Sequence, residues 1–257
     1  MANVTTEYSG GGDPRRSIEL LWGVPGRPKR GPKPKLTAER IVRTAIAVAD
    51  AEGLDALSMR RIADELGVAP MSIYTYVPGK AELIDVMLDR AMAELTPADG
   101  VAGGWRARLE HIARDNWGLY HRHPWLLHVA AVRPPMGPAV FGKYEFELRA
   151  VDGIGLTDLE MDSVVALVTG FAESSARVSV NAAEAERRSG MTDAQWWEAL
   201  APLLAEIDTG GEDYPLSNRV GTAAGKEYNA AVGPAQAFEF GLARILDGIE
   251  VLVASRT

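Results

Sequence analysis

Apolar and polar residues alternate with the period of an α-helix along most of the chain, starting near residue 37. In the first helix of this series, apolar residues recur on one face over residues 41–49. Thr37 is placed to cap its N-terminus, and Gly53 is placed to end it. A second, shorter helix lies between Ser58, as its cap, and Gly67, as its stop. The pattern predicts an all-α fold.

Two further helices follow, a short one from Pro70 to Tyr76 and a longer one from about Gly79 to Leu95. Proline suits a first helical turn because its missing N–H would have no partner there. A helix of about seven residues is not stable alone and needs tertiary support. Two short helices joined by a glycine turn and flanked by longer helices predict a helix-turn-helix domain. In such a domain the second helix of the pair enters the major groove of DNA.

The N-terminal residues of that second helix are the ones that meet base edges. Ala69 and Ile73 are placed to anchor it inward. Its outward residues are Met71, Ser72, Thr75 and Tyr76. A tyrosine hydroxyl can donate to a phosphate, and Lys80 adds a positive charge beside the same backbone. Alternatively, Tyr74 and Tyr76 pack between helices, which we expect of Tyr74 rather than of Tyr76.

The net charge of −8 is unevenly distributed. Residues 1–95 hold 13 basic and 13 acidic residues, whereas residues 96–257 hold 14 basic and 22 acidic ones. A DNA backbone meets the local field rather than the total charge, so the acidic composition does not argue against nucleic acid.

Residues 1–36 are expected to be a flexible N-terminal extension that ends in a basic arm. The segment GVPGRPKRGPKPK, residues 23–35, carries prolines and glycines among cations that include Lys33 and Lys35, and is expected to be extended. Such a run is either a solubilising tail or a DNA-binding arm, and its position just before the helix-turn-helix pattern favours the arm. A short helical stretch over residues 17–22 has no evident partner.

Residues 37–83 resemble the DNA-binding domain of the TetR (tetracycline repressor) family. SMRRIADELGV is similar to the second helix of that domain, and PMSIYTYV followed by Gly-Lys is similar to its recognition helix. The resemblance implies an all-helical, dimeric, ligand-responsive regulator in which residues 78–95 link the two domains. Some members carry an arm that reaches toward the minor groove, as expected of Lys33 and Lys35. The positions that match DNA-contacting ones are Arg60, Pro70, Met71, Ser72, Tyr76 and Lys80.

Residues 96–257 are expected to form an effector-binding and dimerisation domain. The pattern predicts helices over 105–123, 125–132, 139–151, 158–188 and 234–254, a further segment capped by Thr192, and a loop over 209–221. In the longest helix we expect six residues to point inward: Val164, Leu167, Val168, Phe171, Ser175 and Val178. The two long apolar helices either fill their own core or pair with those of a second copy in a four-helix bundle. The family resemblance favours a homodimer.

The effector pocket is expected among these helices, mostly apolar with a few polar groups. Asn116 falls on an inward stripe, where an unpaired amide is costly, so it either contacts a ligand or bonds neighbouring backbone. Candidate ligand-binding residues are Asn116, Trp117, Tyr120, His128, Arg133, Phe141 and Phe171. As a set, they suggest a partly aromatic or apolar effector.

Three histidines in HRHPWLLH, residues 121–128, raise the possibility of a metal site. Pro124 interrupts the helix and no carboxylate has ligand spacing, so capping or pocket-lining roles are favoured. HPWLL also resembles the effector domain of the tetracycline-repressor subgroup. That subgroup binds a drug–magnesium complex through histidines, where this chain has Thr96 and Val129. We therefore expect no tetracycline–magnesium effector, no metal and no cofactor.

Other classes of function find little support in the sequence. No G-x-S-x-G motif, phosphate loop or catalytic carboxylate pair is present, so no enzyme is indicated. A protein-binding adaptor using residues 18–22 is the remaining alternative. With no cysteine, no run of about 18 apolar residues and no signal peptide, the chain is expected to be cytoplasmic, without membrane contact. The sequence thus predicts a regulator, a repressor released from a palindromic operator by a small molecule.

Overall fold

The computed structural model describes residues 6–23, 36–207, 213–230 and 232–256. These residues form an all-α molecule whose strands are one short parallel pair, β1 (Glu7–Tyr8) with β2 (Val129–Ala130). None of the described helices is both long and apolar enough to cross a membrane. The helices are α1 (Pro14–Leu21), α2 (Ala38–Glu52), α3 (Met59–Leu66), α4 (Pro70–Tyr74), α5 (Lys80–Met92), α6 (Gly104–Arg122), α7 (Pro138–Arg149), α8 (Asp158–Ser189), α9 (Asp193–Ile207), α10 (Pro215–Tyr228) and α11 (Pro234–Ala254).

Residues 36–95, the head, confirm the predicted capping. The Thr37 hydroxyl accepts from the backbone N–H of Arg40 at 3.1 Å, and the Ser58 hydroxyl accepts from that of Arg61 at 3.1 Å. Gly67 adopts a left-handed φ of 67°, which ends α3 and makes the turn into α4. The helix-turn-helix pair is therefore α3 and α4.

Residues 96–256, the body, are built on α8, which packs against both α6 and α11. The predicted inward face of α8 is wrong in part, because Leu167 and Val178 are exposed. Val164 and Val168 are buried as predicted, and Ala172 is buried as well, since the small side chains of this face allow α6 and α11 to approach closely.

Two body segments differ from their predicted structure. The expected helix over residues 125–132 is a 3₁₀ turn, Pro124–His128, followed by β2, where the backbone pairs with β1. The expected loop over residues 209–221 contains the start of α10, since Pro215 suits a first helical turn. This helix buries none of its residues.

The N-terminal extension is not a flexible segment over residues 6–23, contrary to expectation. β1 pairs with β2, and α1 packs against α5. Buried hydroxyls hold the segment in place, because Ser9 and Ser17 both donate to Asp85. The arm residues Lys33 and Lys35 lie outside the described residues.

Candidate DNA-binding and effector sites

The recognition helix α4 rests on one buried anchor. Ile73 is fully buried in the core of the head, which holds this five-residue helix in place. Met71, by contrast, is 75% exposed. Pro70 and Thr75 are exposed as well, and Ser72 is half-buried. The N-terminal end of α4 therefore presents the residues that the sequence places at base edges.

The solvent exposure of the two tyrosines of this region is the reverse of the prediction. Tyr74 is 42% exposed, whereas Tyr76 is half-buried against the core of the head. The reason is that α4 ends at Tyr74, and the backbone N–H groups of Tyr76 and Val77 both bond to the carbonyl of Ile73. Beyond that tightened turn the helical phase no longer predicts which side chain points outward.

The predicted cations of the head differ in their environment. Arg60 is exposed on α3, whereas its neighbour Arg61 forms ion pairs with Glu52 and Glu65 at 2.7 Å. Lys80, at the start of α5, is paired with Glu7 of the N-terminal segment, with 2.6 Å between the ammonium and the carboxylate. Lys80 is thus engaged within the chain in this structure.

A cavity of about 700 Å³ lies among α5, α6, α7 and α8. Tyr120 and Phe141, two of the predicted ligand residues, line it, together with Leu88 and Met92 from α5. A second chamber of about 490 Å³ shares Tyr120, Leu88 and Met92 and extends toward Thr6 of the N-terminal segment. Helix α5 thus forms part of the cavity wall at one end, and at the other its residues Leu83 and Ile84 are buried in the core of the head.

The other predicted ligand residues lie outside the lining of this cavity. Asn116 is buried behind it and donates to the carbonyl of Ile112 at 2.9 Å, the backbone alternative. Trp117 and Phe171 stack on Phe238 of α11, in the core of the body.

Arg133 and His128 also lie away from this cavity. Arg133 is exposed beside Gly10. His128 borders a separate cleft of about 740 Å³ between α2 and α8. Burial and the nearby positive charge of Arg177 lower the pKa of His128.

Polar residues that the sequence did not single out also line the cavity. Lys143 donates to Glu147 at 2.6 Å, and both side chains are largely buried. Thr169 and Glu173 contribute from α8. Burial, together with the negative charges of Glu173 and Glu147, raises the pKa of Tyr120, so its phenol is a stable donor in the wall. The cavity combines aromatic walls with a small number of fixed polar groups.

Three acidic residues on the buried side of α5 connect the head to other elements. Glu82 accepts from the backbone N–H of Asp13, and Asp85 accepts from Ser9 and Ser17. Asp89 accepts from the backbone N–H groups of Ala139 and Val140, 3.0 Å away in the first turn of α7. These three acidic residues thus join α5 to the N-terminal segment and to α7, a helix that lines the cavity.

A second contact between head and body is centred on the buried His123. Its Nδ1 lies 2.7 Å from Asp50 of α2, and its Nε2 lies 3.1 Å from Glu94, just after α5. The indole of Trp125 donates to the same Asp50 carboxylate. This histidine therefore has a structural role at the domain junction. Among the described residues, no group of three or more His, Cys, Asp or Glu is arranged to hold a metal ion.

Comparison with known proteins decides the family. Residues 41–87 match the family of bacterial regulatory proteins, tetR family, and residues 96–253 match the tetracyclin repressor-like C-terminal domain. The chain belongs to the TetR family. It is 47% identical over 253 residues, 98% of this chain and 91% of the relative, to the HTH-type transcriptional repressor DrrR1 of Streptomyces coeruleorubidus.

Solved structures of the TetR family share the fold. Apo ActR from Streptomyces coelicolor has a TM-score of 0.63 at 26% identity, and the comparison covers 88% of this chain and all of ActR. ActR in complex with actinorhodin has a TM-score of 0.67 at 28% identity, covering 85% of this chain and 98% of that one. The expected all-α architecture with an N-terminal helix-turn-helix domain is confirmed.

Proposed function

We propose that this TetR-family regulator represses transcription by binding an operator through α4 and is released by a small molecule bound in the cavity. The observation that carries the DNA-binding part is the recognition helix, where Met71 and Thr75 are exposed beside the buried anchor Ile73. Met71 and Ser72 meet base edges, and Arg60 reaches the same groove from α3. Thr75, Tyr76 and Lys80 contact the phosphate backbone. A relative named as a repressor supports repression rather than activation.

The operator is palindromic in this proposal because the regulator acts as a homodimer. On α8, Leu167 and Val178 are exposed about three turns apart and thus on one face. On α11, Phe240 and Val251 have the same spacing and are 68% and 71% exposed. Pairing these faces with those of a second copy forms a four-helix bundle that removes this apolar surface from water. Two heads then meet half-sites about one helical turn apart.

The proposed effector is a partly aromatic molecule that fills the cavity beside Tyr120, Phe141 and Tyr144. Aromatic walls favour a flat apolar body, while Lys143 and the Tyr120 hydroxyl can donate to its polar groups. The complex of ActR with actinorhodin supports a ligand site in the body of this fold.

The effector acts through α5, whose residues Leu88 and Met92 line the cavity while Leu83 and Ile84 are buried in the head. A ligand can shift the orientation of α5 only if it binds the two orientations with different affinity. It therefore favours the orientation in which the two recognition helices no longer fit one operator. In this proposal the protein is not an enzyme, needs no cofactor or metal, makes no membrane contact, and acts on DNA in the cytoplasm.

The test is binding of the purified protein to a labelled duplex of the DNA upstream of its own gene, against a scrambled duplex, at several salt concentrations. Specific binding is about 10³ to 10⁷ times tighter than non-specific binding. We expect preference on that scale, with affinity falling as salt rises because phosphate contacts release counterions. Absence of binding to any duplex at low salt would refute the proposal.

A further inference from the structure

Residues 6–22, the strap, make a set of specific contacts with α5. Asp85 accepts from the hydroxyl of Ser9 at 2.9 Å, from the backbone N–H of Gly10 at 2.9 Å and from the hydroxyl of Ser17 at 2.8 Å. Asp85, Ser9 and Ser17 are all buried. Buried hydrogen bonds to a carboxylate are among the stronger ones, so the strap has a defined position on this helix.

The same strap also forms the outer support of the effector cavity. β1 pairs with Val129 and Ala130, and the next residue, Ala131, lines both chambers. At the other end, the indole of Trp22 donates to the carbonyl of Met136 at 2.7 Å. Met136 lines the cavity, so a ligand that holds this wall in place also holds the attachments of the strap.

One strap residue holds a cation that the proposed function places on DNA. Glu7 lies within β1, and its carboxylate is 2.6 Å from the ammonium group of Lys80. An ammonium paired with a carboxylate is less available to a phosphate, because the new contact must replace the existing one. The strap therefore competes with DNA for Lys80.

We propose that the strap is an autoinhibitory element that withholds Lys80 from DNA and ties this restraint to the wall of the effector cavity. An effector that holds the wall of residues 129–136 in place keeps the strap docked and Glu7 on Lys80, which lowers DNA affinity. DNA binding, in turn, favours release of the Glu7 contact. This inference rests on the proposed function, and it adds a second route of regulation to the orientation of α5.

The first test compares Glu7→Gln with Glu19→Gln in the full chain. Both changes remove one negative charge from the strap, and both break one ion pair, because Glu19 pairs with Arg15 at 3.1 Å. A phosphate contact is independent of sequence, so a fluorescent duplex of any sequence at low salt is a suitable probe. We expect E7Q to bind up to about fivefold more tightly per head, the scale of an exposed ion pair, and E19Q to bind more weakly than E7Q.

The second test asks whether the cavity wall controls the same contact. Trp22→Phe removes the hydrogen bond to Met136, and Trp196→Phe, on α9, is a matched control at a similarly exposed tryptophan. We expect W22F to raise DNA affinity in the wild-type background and to have no further effect in E7Q, because the restraint is then already absent.

These outcomes separate the two proposals. If wild type binds DNA but E7Q equals E19Q, or W22F acts equally in both backgrounds, the strap inference is wrong while DNA binding stands. If neither wild type nor any variant binds DNA at low salt, the proposed function fails first. Circular dichroism of each variant confirms that the helical fold is retained.

Discussion

In the head, residues 36–95, the structure describes every residue, and its two exposed large apolar or aromatic side chains are Met71 and Tyr74, both on the recognition helix. The body exposes many more, among them Phe141 at the cavity and Phe240 on α11. The head thus exposes its large apolar groups on one surface, that of the recognition helix. The body contains a cavity and exposed apolar faces, which the proposed function assigns to a ligand and to a second copy. Met71, Phe141 and Phe240 thus each lie at a surface that the proposed function assigns to a partner.

The largest effect that tests this comparison is expected at the buried ion pair of the cavity. Lys143→Met leaves Glu147, whose side chain is 2% exposed, without its cation. Breaking a buried pair costs about 3–5 kcal/mol of folding free energy. Urea unfolding measures the change. The matched control is Arg149→Met, which breaks an exposed pair with Glu145 at the same spacing in the same helix and a longer exposed pair with Asp99, together worth about 1 kcal/mol or less. Equal losses of stability in the two variants would show that the Lys143–Glu147 pair is exposed to water rather than buried.

A second change tests how tightly the head is packed. Ile73→Ala removes a fully buried side chain, and such truncations cost about 2–5 kcal/mol. We expect a lower thermal midpoint and loss of DNA binding, because α4 has no other buried residue. Met71→Ala, two positions away, is expected to leave the thermal midpoint unchanged. A destabilised M71A would mean that Met71 is part of the core.

The next change separates DNA contact from stability. Ser72→Ala is expected to weaken binding to the operator by about 0.5–1.5 kcal/mol, the range for one hydrogen bond, without changing the thermal midpoint. Fluorescence anisotropy with operator and scrambled duplexes measures it. A loss shared equally by both duplexes would assign Ser72 to the phosphate backbone instead.

The smallest effect is expected at His128, in the cleft between head and body. Burial, Arg177 and Arg188 lower its pKa, whereas Asp55 and Glu184 act in the opposite direction. A lowered folded-state pKa means that the unfolded chain takes up the proton first. Stability is therefore present above the ordinary value of 6.5 and declines as pH falls below it.

Urea unfolding at pH 7.5 and at pH 5.5 measures this contribution. The loss of stability on acidification is expected to be smaller in His128→Gln than in wild type. An equal loss in both proteins would assign the pH dependence to other groups.

Local signals predicted most of the head from the sequence. Thr37, Ser58, Gly67 and Pro70 each act within their own helix turn, and the structure has each where the pattern places it. Tyr76 was misplaced because the end of α4 depends on a tightened turn rather than on helical period. Local chemistry therefore predicts where elements begin, and less well where short ones end.

The cavity depends on contacts between distant residues, so the sequence predicted little of it. Lys143 with Glu147 and Arg149 with Glu145 have identical spacing in α7, yet the first pair is buried and the second is exposed. Only the packing of α7 against its neighbours distinguishes them. The burial of Asp85 could not be predicted either. An acidic residue on a helix is expected to be exposed to solvent, whereas the strap covers Asp85 in the structure.

The central claim is that a ligand in the cavity releases DNA, and a plugged cavity tests it most directly. Gly170→Phe places a ring at the cavity wall, where an added Cβ meets nothing within 4 Å. Gly142→Phe is the matched control on α7, equally open but outside the lining. Actinorhodin, the molecule bound in ActR, and related aromatic compounds are the probes, titrated into each protein–operator complex while binding and DNA affinity are both measured.

The account predicts that a compound which binds wild type and G142F releases both from the operator, and that G170F neither binds the compound nor releases DNA. A compound that binds wild type but not G170F, and leaves operator affinity unchanged, would contradict it.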